Sequence, residues 1–326
     1  MGRQTLIDSI DDRLIASPTG DYLNIFDVFD GAVSGNSVYN TNLWNGAAAD
    51  LFPALTGIAW MMQNPTSTGL IPDNKGVAIS RRHILISGHM NITPAGLGTV
   101  RWILANGTFV DGTAIDRITN VGSEYTWTSN TTLTGAPLFH EVLYLNADLP
   151  GTVPLTPIFS PTYLDASTVQ QDMKPVDSVA LDAAPVVPVI RFDQFHRMTL
   201  SDSYHMSAAE YEANQMYFLA TSPPLASIRR PYWQAGIPGD SGSTILALYG
   251  SQFIYVGAIG QVFSNLTWSP HTLWFVQSII NACATLDARN AQTGYTPEFF
   301  TFPEDMGYVT TRDYARTAIT VSDEAG

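Results

Sequence analysis

From about residue 51 onward the chain is written in short apolar or alternating runs, each closed by turn-forming residues. LTGIAWMM, GVAIS, HILIS, TVRWILA, TFVDGTAI and EVLYLN follow one another, and VVPVIRF, STILALYG and FIYVGAIGQVF repeat the texture later. Runs of this length, rich in Val, Ile, Trp and Tyr and bounded by Gly, Asn and Pro, are strands. With hardly any helix between them they predict an all-β sandwich or barrel. Three segments depart from that texture. Residues 4–15 space Leu6, Ile7, Ile10, Leu14 and Ile15 as a short amphipathic helix, which packs on the chain's own surface or reaches a neighbouring subunit. Residues 206–217 have the composition of a short helix. HTLWFVQSIINACATLDARNA places Trp274, Val276, Ile279, Ile280 and Cys283 on one helical face and stops near Asn290. Residues 16–50 read as loop with short strands at most, and the tail 291–326 carries Phe299, Phe300, Phe302 and Tyr308, aromatics suited to docking.

Of the 326 residues, 45% are hydrophobic, enough for a substantial core, and 13% are charged, about half the usual ~25%. A formal charge of -14 argues against a nucleic-acid partner, whose phosphates need clustered Lys and Arg. The single cysteine, Cys283, excludes an internal disulfide and a Cys-based zinc site. No window approaches the ~20 apolar residues of a membrane-spanning helix, and Asp8, Asp11 and Asp12 interrupt the opening segment where a secretory signal would be apolar. The expected setting is therefore cytoplasmic or within a virus particle, with no membrane partner.

The sharpest chemical signal is PGDSGS at 238–243. Glycines around a serine allow a tight turn that exposes the hydroxyl and lets backbone N–H groups converge. Two such donors, from Gly239 and Ser241, would hold the oxygen of a carbonyl under attack. A serine hydroxyl also needs a base, and of six histidines His89 stands apart, just after a strand–turn–strand segment, GVAISRRHILISGHM. Other constellations are weaker. His140-Glu141 lacks further ligands at strand or helix spacing, so neither a metal nor a cofactor is expected. Gly96–Thr99 lacks the lysine of a phosphate loop. Arg229-Arg230-Pro231 reads as a solvated turn.

Gly76–Met90 and Pro238–Ser243 together resemble the trypsin/chymotrypsin-like serine protease family. The first is similar to that family's segment delivering the catalytic histidine, the second to its GDSGGP. Tyr255–Phe263 resembles the strand after the family's serine, and Trp274–Arg289 its C-terminal helix. The resemblance covers about 51–290. It implies an all-β fold of two antiparallel six-stranded barrels with a C-terminal helix and extensions at both ends. The implied divisions are an N-terminal extension at 1–50, a first barrel at 51–165, a second barrel and helix at 166–290, and a tail at 291–326. His89 would be general base and then acid, Ser241 the nucleophile, and Gly239 and Ser241 the oxyanion hole. Ala235 would floor the specificity pocket, with Gln261 and Val262 on its wall, favouring small or apolar residues at the cleavage point.

The third member of the triad is where the chain departs from the family. The strand 139–145 matches the family's acid-bearing strand in two registers: one puts Phe139 where the acid belongs, the other puts Glu141 there. Asp148 and Asp116 are weaker alternatives. Met90 replaces a cysteine, Ser243 replaces a glycine, and no cleavable Ile-Val-Gly-Gly start precedes the first barrel. Two principal functions follow. One is a serine endopeptidase acting on a peptide or protein. The other is a catalytically impaired protease fold serving a larger assembly, such as a virus particle or homo-oligomer, through its terminal extensions. A glycan-binding β protein would require both motif matches to be accidental.

Overall fold

The computed structural model describes residues 2–29, 36–61, 75–87, 97–121, 140–159, 187–206, 217–237, 240, 242–259, 261–263, 266–270 and 272–301. The chain opens with helix α1 (Gly2–Asp11), the small ribbon of β1 (Phe26–Val28) and β2 (Val38–Tyr39), and the single turn α2 (Phe52–Leu55). This region is loop-rich, as its composition predicts, but it is no detachable arm. Leu23, Ile25, Leu43, Trp44 and Leu51 are buried in the main core, and the Trp44 indole donates to the Met198 carbonyl at 3.1 Å. Helix α1 buries Leu6, Ile7 and Ile10, whereas Ile15 of the predicted apolar face lies past the helix end and is exposed. The helix of 4–15 thus packs on its own chain.

Six strands then close a barrel: β3 (Ile58–Met61), β4 (Lys75–Ala78), β5 (His83–Ser87), β6 (Thr99–Ile103), β7 (Phe109–Val121) and β8 (His140–Leu145). Their spatial order is β3-β4-β5-β8-β7-β6, and every pairing is antiparallel. Alternation along each strand explains the near-continuous apolar runs, because both faces are covered. Ile84, Ile86, Trp102, Leu143 and Leu145 fill one cluster, while Leu85, Val142 and Tyr144 join the larger core shared with the rest of the molecule. The β4–β5 pair is so close at Gly76 that a Cβ there would stand 2.5 Å from Ile86 Cγ2 and 2.9 Å from the Leu85 carbonyl oxygen.

The remaining strands are β9 (Ile158–Phe159), β10 (Val187–Phe192), β11 (Met198–Met206), β12 (Tyr217–Thr221), β13 (Thr244–Tyr249), β14 (Gln252–Ala258), β15 (Gln261–Phe263), β16 (Leu266–Pro270) and β17 (Phe299–Phe300). They form a nine-stranded sheet in the order β15-β16-β12-β11-β10-β13-β14-β9-β17. The expected second closed barrel is not what the described residues form. The outer edge of β14 pairs at Tyr255 with Ile158 of β9, in parallel, and no β14–β16 ladder closes the sheet. Yet β16-β12-β11-β10-β13-β14 is the same permutation as the barrel opened between β7 and β8, which reads β8-β5-β4-β3-β6-β7. The two halves share a winding order that no sequence repeat announces. The boundary proposed at 165/166 lies outside the described residues, as do Phe302, Tyr308 and most of the segment 206–217 read as a helix.

Helix α3 (Thr272–Arg289) packs against β7, β8, β9 and β14 and buries Val276, Ile279 and Cys283, as its periodicity predicts, and Leu286 besides; Ile280 is half-buried, and the Trp274 side chain lies outside the described residues. It ends where Asn290 donates its side-chain amide to the Leu286 carbonyl and to Asp116, and Ala291 takes φ +52. Phe300 then docks on the chain itself, its ring 5.1 Å from that of Tyr249. Arg229 corrects the sequence reading. It is buried, its guanidinium holding both oxygens of Asp11 in α1 at 2.7 and 2.8 Å and Asp202 of β11 at 2.6 Å. Among the described residues no helix is long and apolar enough to cross a membrane.

Gly76→Ala is expected to lower stability by ~1–3 kcal/mol, the usual cost of forcing a methyl group into a packed core. Urea unfolding measures it, and an unchanged midpoint would contradict the close approach of β4 and β5.

Candidate active site

His89, Gly239, Ser241 and Phe139 lie outside the described residues. What the structure places is the framework from which they depart. Strand β5 ends at Ser87, which is paired with His140, and Ile86 is paired with Glu141. On the other side of β5, Val77 pairs with Leu85 and Ala78 with Ile84, a register that brings Lys75 level with Ser87. Into this corner comes the start of β13, where the buried Thr244 hydroxyl donates to the Lys75 carbonyl at 2.8 Å. The ring of Tyr255 in β14 stands 6.0 Å from that of His140. Ser87 precedes His89 by two positions and Thr244 follows Ser241 by three. At up to ~3.6 Å per residue, the two motif segments leave the framework within reach of each other.

The described part of the serine loop is held from several directions. Gly242 has φ +87, a conformation that favours glycine, and donates to the Ile259 carbonyl, while Ile259 donates back to the Ser243 carbonyl at 2.7 Å. Asp240, beside the candidate nucleophile, is buried, and its carboxylate accepts the N–H of Gln194 at 3.1 Å and of Ile237 at 2.9 Å. The buried Arg191 lies in the same neighbourhood. Burial pulls its guanidinium down to about 10 against the opposing charges of Asp240 and Asp193. Sequence reading gave Asp240 no role. The available signal was an acceptor side chain inside a glycine turn, where Asp binds nearby backbone N–H groups.

Glu141 is fully buried at the start of β8, on the same face as Leu143 and Leu145. One oxygen takes a hydrogen bond from Arg117 at 3.1 Å, and the other has no hydrogen-bond partner among the described residues. Burial pushes this carboxyl up to about 7, against the pull of Arg117. The weaker acids have other partners: Asp148 binds Arg82 and the Tyr295 hydroxyl, and Asp116 binds Asn290. Ala235 is exposed in the segment leading to the serine loop. Gln261 and Val262 lie on β15, paired with Trp268 and Thr267 of β16.

A second Ser–His–Asp constellation exists, and it is not a site. The Ser80 hydroxyl stands 2.8 Å from Nδ1 of His83, whose Nε2 is 3.5 Å from Asp287 of α3. Ser80 also accepts the N–H groups of Arg82 and His83, which ties up its oxygen in the β4–β5 turn. Ser80 and His83 are closed to solvent, so a substrate has no path to them. Desolvation pulls His83 down to about 4, and His140 and His196 down to about 3. Among the described residues no group of three or more His, Cys, Asp and Glu is placed to hold a metal. No protein-family model matches the chain, and no curated protein matches it.

Because His83 is neutral in the fold, its contribution is complete above about pH 6.5 and is lost as pH falls toward about 4. His83→Asn keeps an acceptor for Ser80 but removes that proton uptake. It is expected to make the fall in unfolding free energy between pH 6.5 and 4.5 shallower by about 1.4 kcal/mol per pH unit. Urea titrations across this range measure the slope; an unchanged slope would mean that His83 is charged in the native state. For Asp240→Asn, which turns an acceptor oxygen into a donor against a backbone N–H, a loss of ~1–3 kcal/mol is expected in the same assay.

Proposed function

We propose that the protein is a serine endopeptidase whose reaction centre lies between the β3–β8 barrel and the second sheet. The observation that carries this reading is the Thr244–Lys75 hydrogen bond beside Ser87, which ties the strand after PGDSGS to the strand flanking the approach to His89. Support also comes from the common winding order of the two halves, with β14 and β16, the two ends of that order, in contact as the pair that would complete a second barrel. In the reaction His89 takes the Ser241 proton as the hydroxyl oxygen attacks a peptide carbonyl. The N–H groups of Gly239 and Ser241 hold the developing oxyanion. The imidazolium returns its proton to the departing amine, and water then releases the acyl group by the same route. Glu141 is the candidate acid beside His89, through the oxygen that Arg117 leaves unbound. The substrate is a peptide or protein, taken with a small or apolar residue at the cleavage point.

One observation favours the alternative, an impaired protease fold with a structural role: Glu141 is already paired with Arg117, and its strand partner is Ile86, three residues before His89 in the chain. A fluorophosphonate probe followed by mass spectrometry separates the readings. Labelling of Ser241 is expected, with a rate that climbs as pH rises through about 7, where Glu141 ionises. Glu141→Gln should lower that rate by up to ~10⁴-fold, the usual cost of losing the orienting carboxylate. A folded protein that leaves Ser241 unlabelled would overturn the peptidase reading. Labelling unaffected by Glu141→Gln would remove Glu141 from the mechanism.

A further inference from the structure

Phe195 is held out into solvent by a turn built with unusual thoroughness. The Asp193 carboxylate accepts the N–H groups of Phe195 and Arg197, both at 2.9 Å, and the Arg197 guanidinium. His196 takes φ +60, a left-handed conformation costly for a side chain of this size. That conformation is sustained by its ring, which stacks on Phe29 at 3.9 Å and meets Trp60 edge-on at 5.2 Å. The neighbouring backbone is bonded to the N-terminal region, Ile25 to His196 at 2.9 Å and Met198 to Leu23 at 2.8 Å. At the tip Phe195 is 58% exposed, with Arg197 5.2 Å from its ring.

This turn is joined to the serine loop through one carboxylate. Asp240 receives the N–H of Gln194, which precedes Phe195, on one oxygen and the N–H of Ile237 on the other. Ile237 is also an exposed large apolar residue, at 37%. An exposed aromatic, next in the chain to Gln194, and an exposed aliphatic are thus tied to the residue adjoining Ser241. More than half of the Phe195 side chain stays in solvent, where it adds little to the core, and a preorganised apolar surface binds at low entropic cost.

We infer that Phe195 and Ile237 form an apolar ledge beside the nucleophile loop that receives an apolar side chain of the polypeptide substrate close to the scissile bond. The inference rests on the peptidase reading and adds a specificity determinant to it. The occupant is a substrate side chain because the ledge is bonded to the reaction loop itself.

The test uses the full chain and a peptide library of mixed sequence, with cleavage sites read by mass spectrometry. Wild-type protein is expected to enrich Leu, Ile, Phe or Met at one fixed position near the cut. Phe195→Ala should reduce that enrichment about tenfold, within the range for lost apolar contacts in a recognition pocket, while cleavage of peptides with a small residue there falls less. Leu225→Ala, at an 85% exposed position in another turn, should leave the profile intact. If wild-type Ser241 is labelled by the fluorophosphonate but the profile has no apolar preference, or Phe195→Ala keeps it, the ledge is refuted and the peptidase reading stands. Equal loss on all peptides would make Phe195 a structural residue and also refute the ledge. A folded wild-type protein that neither reacts with the probe nor cleaves would refute both.

Discussion

The buried seam between the barrel and the second sheet is the constraint from which the rest of the structure follows. Barrel strands that would otherwise expose an outer apolar face spend it there: Trp60, Val77, Leu85, Val142 and Tyr144 share one cluster with Ile190, Leu246 and Tyr255 of the second sheet and Val276 and Ile279 of α3. Burial of this kind is non-directional and scales with area, so it fixes that the halves stay together rather than how they align. Alignment comes from the few directional contacts in the seam, above all the Thr244 hydroxyl on the Lys75 carbonyl. A buried hydrogen bond of that sort is worth little net when made and costs more when broken, which is why it acts as a register mark.

Exclusion of water, in the seam at His140 and inside the barrel at Glu141, also governs the electrostatics around the candidate site. His140, Glu141 and Arg191 sit where water is excluded, and each is displaced toward its neutral form: the histidine and the guanidinium downward, the carboxyl upward. The opposing shifts leave a carboxyl near neutrality beside the segment expected to carry the imidazole. The same exclusion makes Ser80, His83 and Asp287 inert. Ser80 and His83 are sealed beneath α3, which removes the access that such a grouping would need.

The N-terminal region shows how a segment can be loop-like and still part of the core. The described residues of 16–50 have little regular hydrogen bonding, but Trp44, Leu43 and Ile25 are buried in the main core, and His196 packs against Phe26 and Phe29 in its unusual conformation. Arg229 holds α1 through Asp11 and reaches Asp202 on its other side. A buried cation between two carboxylates is tolerable because every partner is itself in place, and removing one would leave charge uncompensated.

Local chemistry made a large part of this legible in the sequence. The β-branched and aromatic runs were strands, the spacing of Val276, Ile279 and Cys283 made the last helix, and the glycines of PGDSGS required a tight turn, seen in the positive φ of Gly242. Strands such as β11, whose MTLSDSYHM mixes polar and apolar residues, and the two-residue β9 and β17 gave no comparable signal, because their partners supply what their composition lacks. Tertiary structure alone decided the burial of Arg229, the pairing of Glu141 with Arg117, the parallel insertion of β9 and the support of the serine loop by Asp240. Each depends on groups distant in the chain, and the free energy of a charge or an unpaired edge is set by what surrounds it after folding rather than by its neighbours in sequence.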